Sequence, residues 1–416
     1  MSQLVIMGSG ETAPTMVPVH REVFAATPPG PAVMLDTTFG FQLNADELVS
    51  RTSRYFAESI GKQVDVASWR RRDDGALQRE KSLALLTQAT WAFAGPGSPT
   101  FALRQWVDTP VPAALADVVR RGGTLVMGSA AVVTLGVCAI PVYEIYKAGI
   151  DPYLAEGLDL IGALTGIEAM VIPHYDNAEG GSHDTRFCYL GEQRLALLEG
   201  QLPPDVGVLG IDEHTALLID LAAQTAAVKG NHVVTVRRRG ESREFAAGTV
   251  LPLAELAALL RGAEKLGGHA TAALSQTREP VEAAAGTSLH DATEGARQAF
   301  DAAHAARDVD GCAAAILSLE SAIHDWSTDT LQSSDVDDAR RALRAFVVRL
   351  GELARDGVKD PREGVAPFVE ELLALRTAAR EAGDYAASDR IRDRLVAAGI
   401  EVRDTPTGAE WELLSD

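Results

Sequence analysis

Residues 122–136 read GGTLVMGSAAVVTLG, and this stretch decides the fold of the first part of the chain. The apolar run Thr124–Met127 is typical of a buried strand, and residues 128–131 (GSAA) then lead into a helix-compatible segment, Val132–Gly136. A serine at a tight strand-to-helix turn lies above the carboxyl end of a sheet, with its hydroxyl exposed and small neighbours beside it. Ser129 is therefore a candidate nucleophile, although a Gly-Ser pair after a strand also fits an ordinary helix cap.

Short β-branched runs alternate with amphipathic segments on both sides of this stretch, from Leu4 to about Leu260. Strands separated by helices of about ten to fifteen residues are typical of a parallel sheet that is covered on both faces. We therefore expect an α/β domain over residues 1–260. The predicted strands are Leu4–Met7, Ala32–Asp36, Val64–Ser68, Thr90–Ala94, Thr124–Met127, Ala169–Pro173, Val206–Ile211 and Ala216–Ile219. The predicted helices include Ala45–Ile60, Gly75–Thr87, Pro112–Arg121 and Glu192–Glu199.

Two features mark the end of this domain. Thr225–Lys229 and His232–Arg238 are separated by Gly230-Asn231, which predicts a β-hairpin. Residues 261–290 are then rich in Gly, Ala and Thr and contain few large apolar residues, which is the composition of a linker. A domain boundary is expected there.

The pattern after the linker is helical throughout residues 291–416. Apolar residues recur at i, i+3, i+4 and i+7 with charges on the opposite face, which predicts amphipathic helices. We expect a small all-α bundle that ends in a short extended tail. The predicted helices are Asp291–Arg307, Val309–Trp326, Asp335–Asp356, Val365–Glu381 and Tyr385–Ala398.

A serine nucleophile needs a base, and the base needs a third group to orient it. Of the nine histidines, His174 is the one at the end of an apolar strand, Ala169–Pro173. Glu213 holds the same kind of position after Val208–Asp212. Ser129, His174 and Glu213 thus follow three different strands, where α/β enzymes collect their catalytic groups. A surface histidine and a solvated loop carboxylate are the alternative interpretations.

A metal site is a rival hypothesis for the same segment. Asp176, His183 and Asp184 follow His174 closely, and two histidines with two aspartates are a plausible ligand set. These residues lie in a Gly-rich loop without a ligand-bearing helix, so we predict no metal site and no cofactor.

Five segments of the first domain resemble the dipeptidase E and cyanophycinase family of serine peptidases, which has the class I glutamine amidotransferase-like fold. They are MGSGETAP, FAGPGSPTFALRQW, GGTLVMGSAAVVTLG, IPHYDN and GIDEHTALLID, and together they span about residues 1–260. The resemblance implies that Ser129 attacks a peptide or amide carbonyl, His174 is the general base and Glu213 completes the triad. Amidotransferases of this fold use cysteine at the corresponding turn, so hydrolysis is expected rather than amide transfer.

The same resemblance implies further roles. Backbone N–H groups of Gly95 or Gly97, together with that of Ala130, would bind the oxyanion, and Arg186 would hold a substrate carboxylate. The family's turn commonly reads Ser-Ala-Gly, whereas Ala131 replaces the glycine here. This departure favours the alternative that the domain is a non-catalytic binding scaffold.

The C-terminal end resembles the corresponding part of cysteinyl-tRNA synthetases, with its DALR-type helical domain. The characteristic tail is represented by Gly399, Ile400, Asp404, Thr405, Pro406, Gly408 and Trp411. The chain has no HIGH-like or KMSKS-like sequence and no zinc-ligand cysteines, so the aminoacylating core is absent. Between His290 and Asp416 there are 26 acidic and 15 basic residues, a balance that disfavours tRNA. We expect a protein partner or self-association instead.

Composition limits the remaining possibilities. With 416 residues and about 150 residues per domain, two or three domains are expected. No stretch approaches the roughly 20 apolar residues of a membrane span, and the N-terminus has no basic signal-peptide region, so we predict a cytoplasmic protein. The formal net charge of −20 argues against non-specific binding to nucleic acid or anionic membranes. The three cysteines are too far apart to predict a disulfide framework or a zinc site.

Overall fold

The computed structural model describes residues 2–178, 183–264, 266, 288–326, 335–356, 361–405 and 408–414. The chain divides into two compact units: Met1–Leu289 with Ala322–Val336, and His290–Ser321 with Asp337–Asp416. Most of the predicted linker, at 265 and 267–287, lies outside the described residues. The predicted domain boundaries therefore stay predictions.

The described residues of the first unit form fourteen strands. They are β1 (Gln3–Met7), β2 (Ala32–Leu35), β3 (Asp65–Ala67), β4 (Trp91–Ala94), β5 (Thr124–Gly128), β6 (Cys138–Ala139), β7 (Ala155–Glu156), β8 (Ala169–Ile172), β9 (Gly207–Ile211), β10 (Thr215–Asp220), β11 (Thr225–Gly230), β12 (Val233–Arg238), β13 (Glu241–Ala246) and β14 (Val250–Pro252). All eight strands expected from sequence are present to within one residue at each end. The α/β prediction is confirmed.

The described helices of this unit connect and cover the strands. They are α1 (Val17–Ala26), α2 (Ala45–Tyr55), α3 (Ala76–Gln88), α4 (Pro99–Trp106), α5 (Val111–Arg120), α6 (Ala130–Val133), α7 (Val142–Tyr146), α8 (Leu160–Thr165), α9 (Gly191–Glu199) and α10 (Leu253–Arg261). The helical segment predicted from Ala45 to Ile60 continues beyond α2 as a short π-helical turn, Phe56–Ile60.

The strands form two mixed sheets. The larger has the order β14-β11-β10-β1-β5-β4-β2-β3. Its strands pair in parallel from β1 to β3 along this order, and each pairing among β1, β10, β11 and β14 is antiparallel. The smaller has the order β13-β12-β9-β8-β6-β7, with a parallel centre of β6, β8 and β9. The carboxyl ends of parallel strands are where α/β proteins place their functional sites, so the residues after β5, β8 and β9 are candidates for such a site.

The predicted hairpin of Thr225–Lys229 with His232–Arg238 is wrong. Strand β11 pairs with β10 and β14 in the larger sheet, whereas β12 pairs with β9 and β13 in the smaller one. The chain crosses between the sheets at Gly230, whose φ is 100°, and the backbone N–H of His232 donates to Thr215 Oγ1 at 3.0 Å. Gly-Asn is a turn signal in either case, and only the partner strands distinguish a hairpin from a crossover.

Strand β5 is buried along its whole length, which explains its continuous apolar sequence. Because side chains alternate between the faces of a strand, Leu125 and Met127 pack into one core with residues of α5 and α6. Val126 packs on the opposite face with the aromatic residues Phe56 and Phe93. Both faces of the sheet are therefore covered at the point where the chain turns into Ser129.

The C-terminal part is helical, as predicted, and its extended tail forms an antiparallel strand pair. Its elements are α11 (Leu289–Ala305), α12 (Val309–Asp325), α13 (Asp335–Asp356), α14 (Pro361–Glu381), α15 (Tyr385–Ala397), β15 (Ile400–Thr405) and β16 (Gly408–Leu413). The strand pair packs Val402 and Trp411 against Val369 and Leu395 of the last two helices. Pro406, part of the tail motif, lies outside the described residues. Across the described ranges, every helix is too short or too polar to traverse a lipid bilayer.

Candidate active site

Ser129 lies at the sharp turn between β5 and α6. Its backbone has φ 47° and ψ −116°, a region that residues with a side chain rarely adopt. The turn is held on both sides: Ser129 N–H donates to Met7 O at 3.1 Å, and Ala131 N–H donates to Gly95 O at 3.3 Å. Strained backbone of this kind persists where the surrounding structure enforces it, and it collects at functional sites. We call residues 128–131 the elbow.

The side chain of Ser129 begins a chain of hydrogen bonds. Ser129 Oγ lies 2.8 Å from His174 Nε2, and His174 Nδ1 lies 2.7 Å from Glu213 Oε1. The three residues follow β5, β8 and β9 respectively. Ser129 and His174 are only 8% and 9% exposed, so little water competes for these bonds. The three residues singled out in the sequence are brought within hydrogen-bonding reach of one another.

The charge on Glu213 determines the tautomer of His174. Burial acts to raise the pKa of Glu213, but the hydrogen bond and electrostatic attraction of the His174 ring, together with the amide of Asn177, outweigh it and lower the pKa. An ionised carboxylate can only accept, so Nδ1 carries the proton and Nε2 is left to accept from the Ser129 hydroxyl. This is the tautomer that a general base requires.

Two residues that sequence reasoning did not assign to the triad support Glu213. Asn177 Nδ2 donates to Glu213 Oε1 at 3.2 Å, and Asp176 Oδ1 accepts the backbone N–H of Glu213 at 2.8 Å. Both belong to the IPHYDN segment, so their nearness to His174 in sequence was the available signal. Nothing in the sequence indicated that they would meet the turn after β9.

The rival metal set is not assembled. Both ring nitrogens of His174 face Ser129 and Glu213, and Asp184 is paired with Arg186. Among the residues that the structure describes, the group with suitable spacing is instead Asp176, Asp212 and His232, whose ligand atoms lie within 4.8 Å of one another. Burial, together with the charge of Asp176, raises the pKa of Asp212 to about 7.

The loop after β4 lies against the elbow. Gly97 has φ 138°, and a Cβ there would lie 2.0 Å from Thr38 O, so no other residue fits without a backbone shift. We call Gly95–Gly97 the oxyanion loop, after the role that the sequence predicts for its backbone N–H groups. Ala130 lies in the first turn of α6, where helical N–H groups lack intrahelical partners. The methyl group of Ala131 is fully buried among Val132 and Leu135, so alanine fits at the position where the family commonly has glycine.

Arg186, the predicted substrate-binding residue, is engaged elsewhere. Its Nε and Nη2 donate to the two carboxylate oxygens of Asp184, each at 2.9 Å. Asp184 also accepts the N–H of Glu192 at 3.0 Å. Arg186 would have to leave this bidentate pair, or share it, in order to bind a substrate carboxylate.

Comparison with known proteins separates the two parts of the chain. Residues 362–411 match the family model described as the cysteinyl-tRNA ligase anticodon binding domain. The cysteine–tRNA ligase of Chlorobium luteolum is 34% identical over 154 residues, which is 34% of this chain and 32% of that enzyme. That of Halorhodospira halophila is 43% identical over 83 residues, 19% of this chain and 18% of that enzyme. The chain thus spans a third or less of the length of these relatives.

The first part matches by fold. The crystal structure of a peptidase from an acI-B1 Actinobacterium superposes with a TM-score of 0.50 at 20% sequence identity, covering 61% of this chain and 97% of that one. Both resemblances predicted from the sequence are confirmed at this level. The chain joins a first part that has the fold of this peptidase to a C-terminal segment similar to the anticodon-binding domain of cysteinyl-tRNA ligases.

Proposed function

We propose that the first unit is a serine hydrolase that cleaves a small peptide or amide through an acyl-enzyme. The observation that carries the proposal is the continuous hydrogen-bonded chain from Ser129 Oγ through His174 to Glu213, at 2.8 and 2.7 Å. It combines a strained serine, a buried base of the correct tautomer and an ionised orienting group. The solved structure with a similar fold described above is that of a peptidase, which agrees with this class, but a fold alone does not define an activity.

The reaction follows from the roles of these groups. His174 Nε2 takes the hydroxyl proton as Ser129 Oγ attacks the carbonyl carbon, and Glu213 stabilises the imidazolium that forms. The oxyanion accepts hydrogen bonds from the backbone N–H of Ala130 and from the oxyanion loop. The imidazolium then protonates the departing amine, and the acyl group remains on Ser129 until a water molecule, deprotonated by His174, releases it.

Labelling with a fluorophosphonate tests this proposal directly. The reagent should modify one serine of the folded full-length chain, and Ser129→Ala should abolish the labelling. Ser50→Ala is the matched control, because Ser50 is an exposed serine on α2 whose hydroxyl donates to the backbone oxygen of Asp46. A folded wild-type chain that remains unlabelled would contradict hydrolase function and favour a non-catalytic scaffold.

The match at residues 362–411 specifically favours a second candidate function, in which the C-terminal part meets tRNA or another translation component. A groove of about 530 Å³ lies between α14 and α15, lined mainly by apolar residues such as Phe368 and Ile391 and by Arg390 and Arg394. The 26 acidic and 15 basic residues from His290 onward weigh against a phosphate backbone. Our proposal is therefore a protein partner or self-association in the cytoplasm.

Titrating the full-length chain with tRNA at physiological salt decides between these partners. Weak binding, with association to a protein or to itself, is expected. Micromolar or tighter tRNA binding that is lost in Arg390→Ala/Arg394→Ala would favour the second candidate function.

A further inference from the structure

A buried carboxyl group lies directly behind the elbow. Glu11 belongs to the loop that follows β1, the strand paired in parallel with β5, where Met7 lies opposite Gly128. Glu11 is 1% exposed. Its Oε1 atom is fully buried and has no hydrogen-bond partner within the described part of the chain. Acidic side chains are almost never buried in this way without a partner or a function.

Two glycines, Gly95 and Gly128, leave the space that this carboxyl group occupies. A Cβ on Gly128 would lie 3.2 Å from both Cγ and Cδ of Glu11, and a Cβ on Gly95 would lie 3.3 Å from Oε1. Glu11 therefore lies between the residue that precedes the nucleophile and the first residue of the oxyanion loop. It contacts the two segments whose separation sets where an oxyanion can bind.

Burial favours the uncharged form of Glu11, and nearby groups do not reverse this effect. Burial raises its pKa, outweighing the hydrogen bond from its own backbone N–H and the charge of His174, which both lower it. From α1, His20 Nε2 lies 2.7 Å from the backbone oxygen of Glu11, and burial lowers the pKa of His20 to about 4, so it brings no charge. At the ends of β4 and β5, the residues next to Glu11 are the uncharged Gly95 and Gly128.

We propose that Glu11 is a positioning residue of the hydrolase site, and that its uncharged carboxyl group sets the spacing between the oxyanion loop and the elbow. An ionised group at this place would oppose the negative charge that develops on the oxyanion, whereas a neutral carboxyl group does not. The inference rests on the proposed function, because it concerns the same reaction.

The rate of fluorophosphonate labelling, measured against pH, tests the inference. In the wild-type chain the labelling rate should fall as the pH rises through the ionisation of Glu11, whose pKa burial raises above its ordinary value. Glu11→Gln keeps the size and cannot ionise, so it should label within about tenfold of the wild-type rate and lose this fall in rate with rising pH. Glu22→Gln is the matched control, because Glu22 is an exposed carboxylate on α1 (52%), and it should keep the wild-type profile.

Removing the carboxyl group should have a larger effect. Glu11→Ala leaves a void between Gly95 and Gly128, and the displaced loop should slow labelling by about 100-fold. If this variant does not fold, the infrared difference spectrum of wild type and Glu11→Gln gives an independent measurement, in which a protonated carboxyl band should be present only in the wild type.

The outcomes separate the two proposals. A wild-type chain that is never labelled overturns the proposed hydrolase function and the role of Glu11 with it. A labelled wild type whose fall in rate with rising pH persists in Glu11→Gln, or whose spectrum lacks the protonated carboxyl band, overturns the role of Glu11 alone.

Discussion

The two parts of the molecule differ in how many residues with a strained backbone they contain. Of the eleven described non-glycine residues with positive φ, ten precede residue 289, and Ser129, His174 and His214 are among them. The C-terminal part has one, Arg307, in a turn between helices. Strain requires many surrounding contacts to maintain it, and the packed sheets supply these contacts whereas a small helical unit does not. The strained backbone that is typical of functional sites is therefore found mainly in the first part of this chain.

Replacing the nucleophile should give the largest effect in either part. Ser129→Ala is expected to lower kcat by about four to six orders of magnitude with KM little changed, because the residual rate comes from the oxyanion site and binding. Steady-state kinetics on a cleaved dipeptide or amide, once one is identified, measures this. A decrease in kcat of less than tenfold would show that Ser129 is not the nucleophile.

Glu213→Gln should produce a smaller but still steep loss. The amide keeps the size but no longer stabilises the imidazolium, so the rate of Ser129 labelling should fall by up to about 10⁴ while the fold is retained. Circular dichroism checks the fold. Labelling at the wild-type rate would contradict this assignment and direct attention to Asp176, which contacts the backbone of Glu213.

The C-terminal part should respond through stability rather than activity. Arg376 is 3% exposed and donates to both carboxylate oxygens of Asp404, at 2.7 and 2.9 Å. Arg376→Met is expected to lower the free energy of unfolding of this unit by about 1 kcal/mol, because Asp404 is partly exposed and can be rehydrated. Arg380→Met, at a more exposed arginine that also contacts Asp404, is the control and should have a smaller effect.

The same pair predicts a pH dependence. The hydrogen bonds from Arg376 lower the pKa of Asp404 below its ordinary value. The stabilisation is therefore present above the unfolded pKa of about 3.9 and is lost as the pH falls below it. Urea unfolding between pH 7 and pH 3, followed by far-UV circular dichroism, should show this loss in the wild type and a weaker loss in Arg376→Met. Equal pH dependence in both would contradict the pairing.

Truncation should have the smallest effect. A chain that ends near Gly268 should label at Ser129 within about threefold of the full-length rate, because linker-connected domains are expected to retain their own cores. Loss of the fold on truncation would show that residues 322–336, which group with the first unit, are required for it.

Most elements could be predicted because their signals are local. The eight strands were recognisable as apolar runs between turn residues, and the C-terminal helices as 3.6-residue periodicity. The rule that α/β enzymes collect catalytic groups at the carboxyl ends of strands also selected Ser129, His174 and Glu213, which lie within hydrogen-bonding reach although β5 belongs to one sheet and β8 and β9 to the other. The assignment of β11 and β12 to different sheets was missed, since pairing depends on strands distant in sequence.

The amino-acid sequence by itself determined the order of the elements, the elbow and the tail motif, because each depends on residues that are neighbours in the chain. Only the tertiary structure decided which polar groups meet. It paired Arg186 with Asp184, set Asp176 against the backbone of Glu213 and enclosed Glu11 between two glycines. Burial and charge pairing depend on groups that folding brings together from distant positions in the chain, so local sequence patterns do not indicate them.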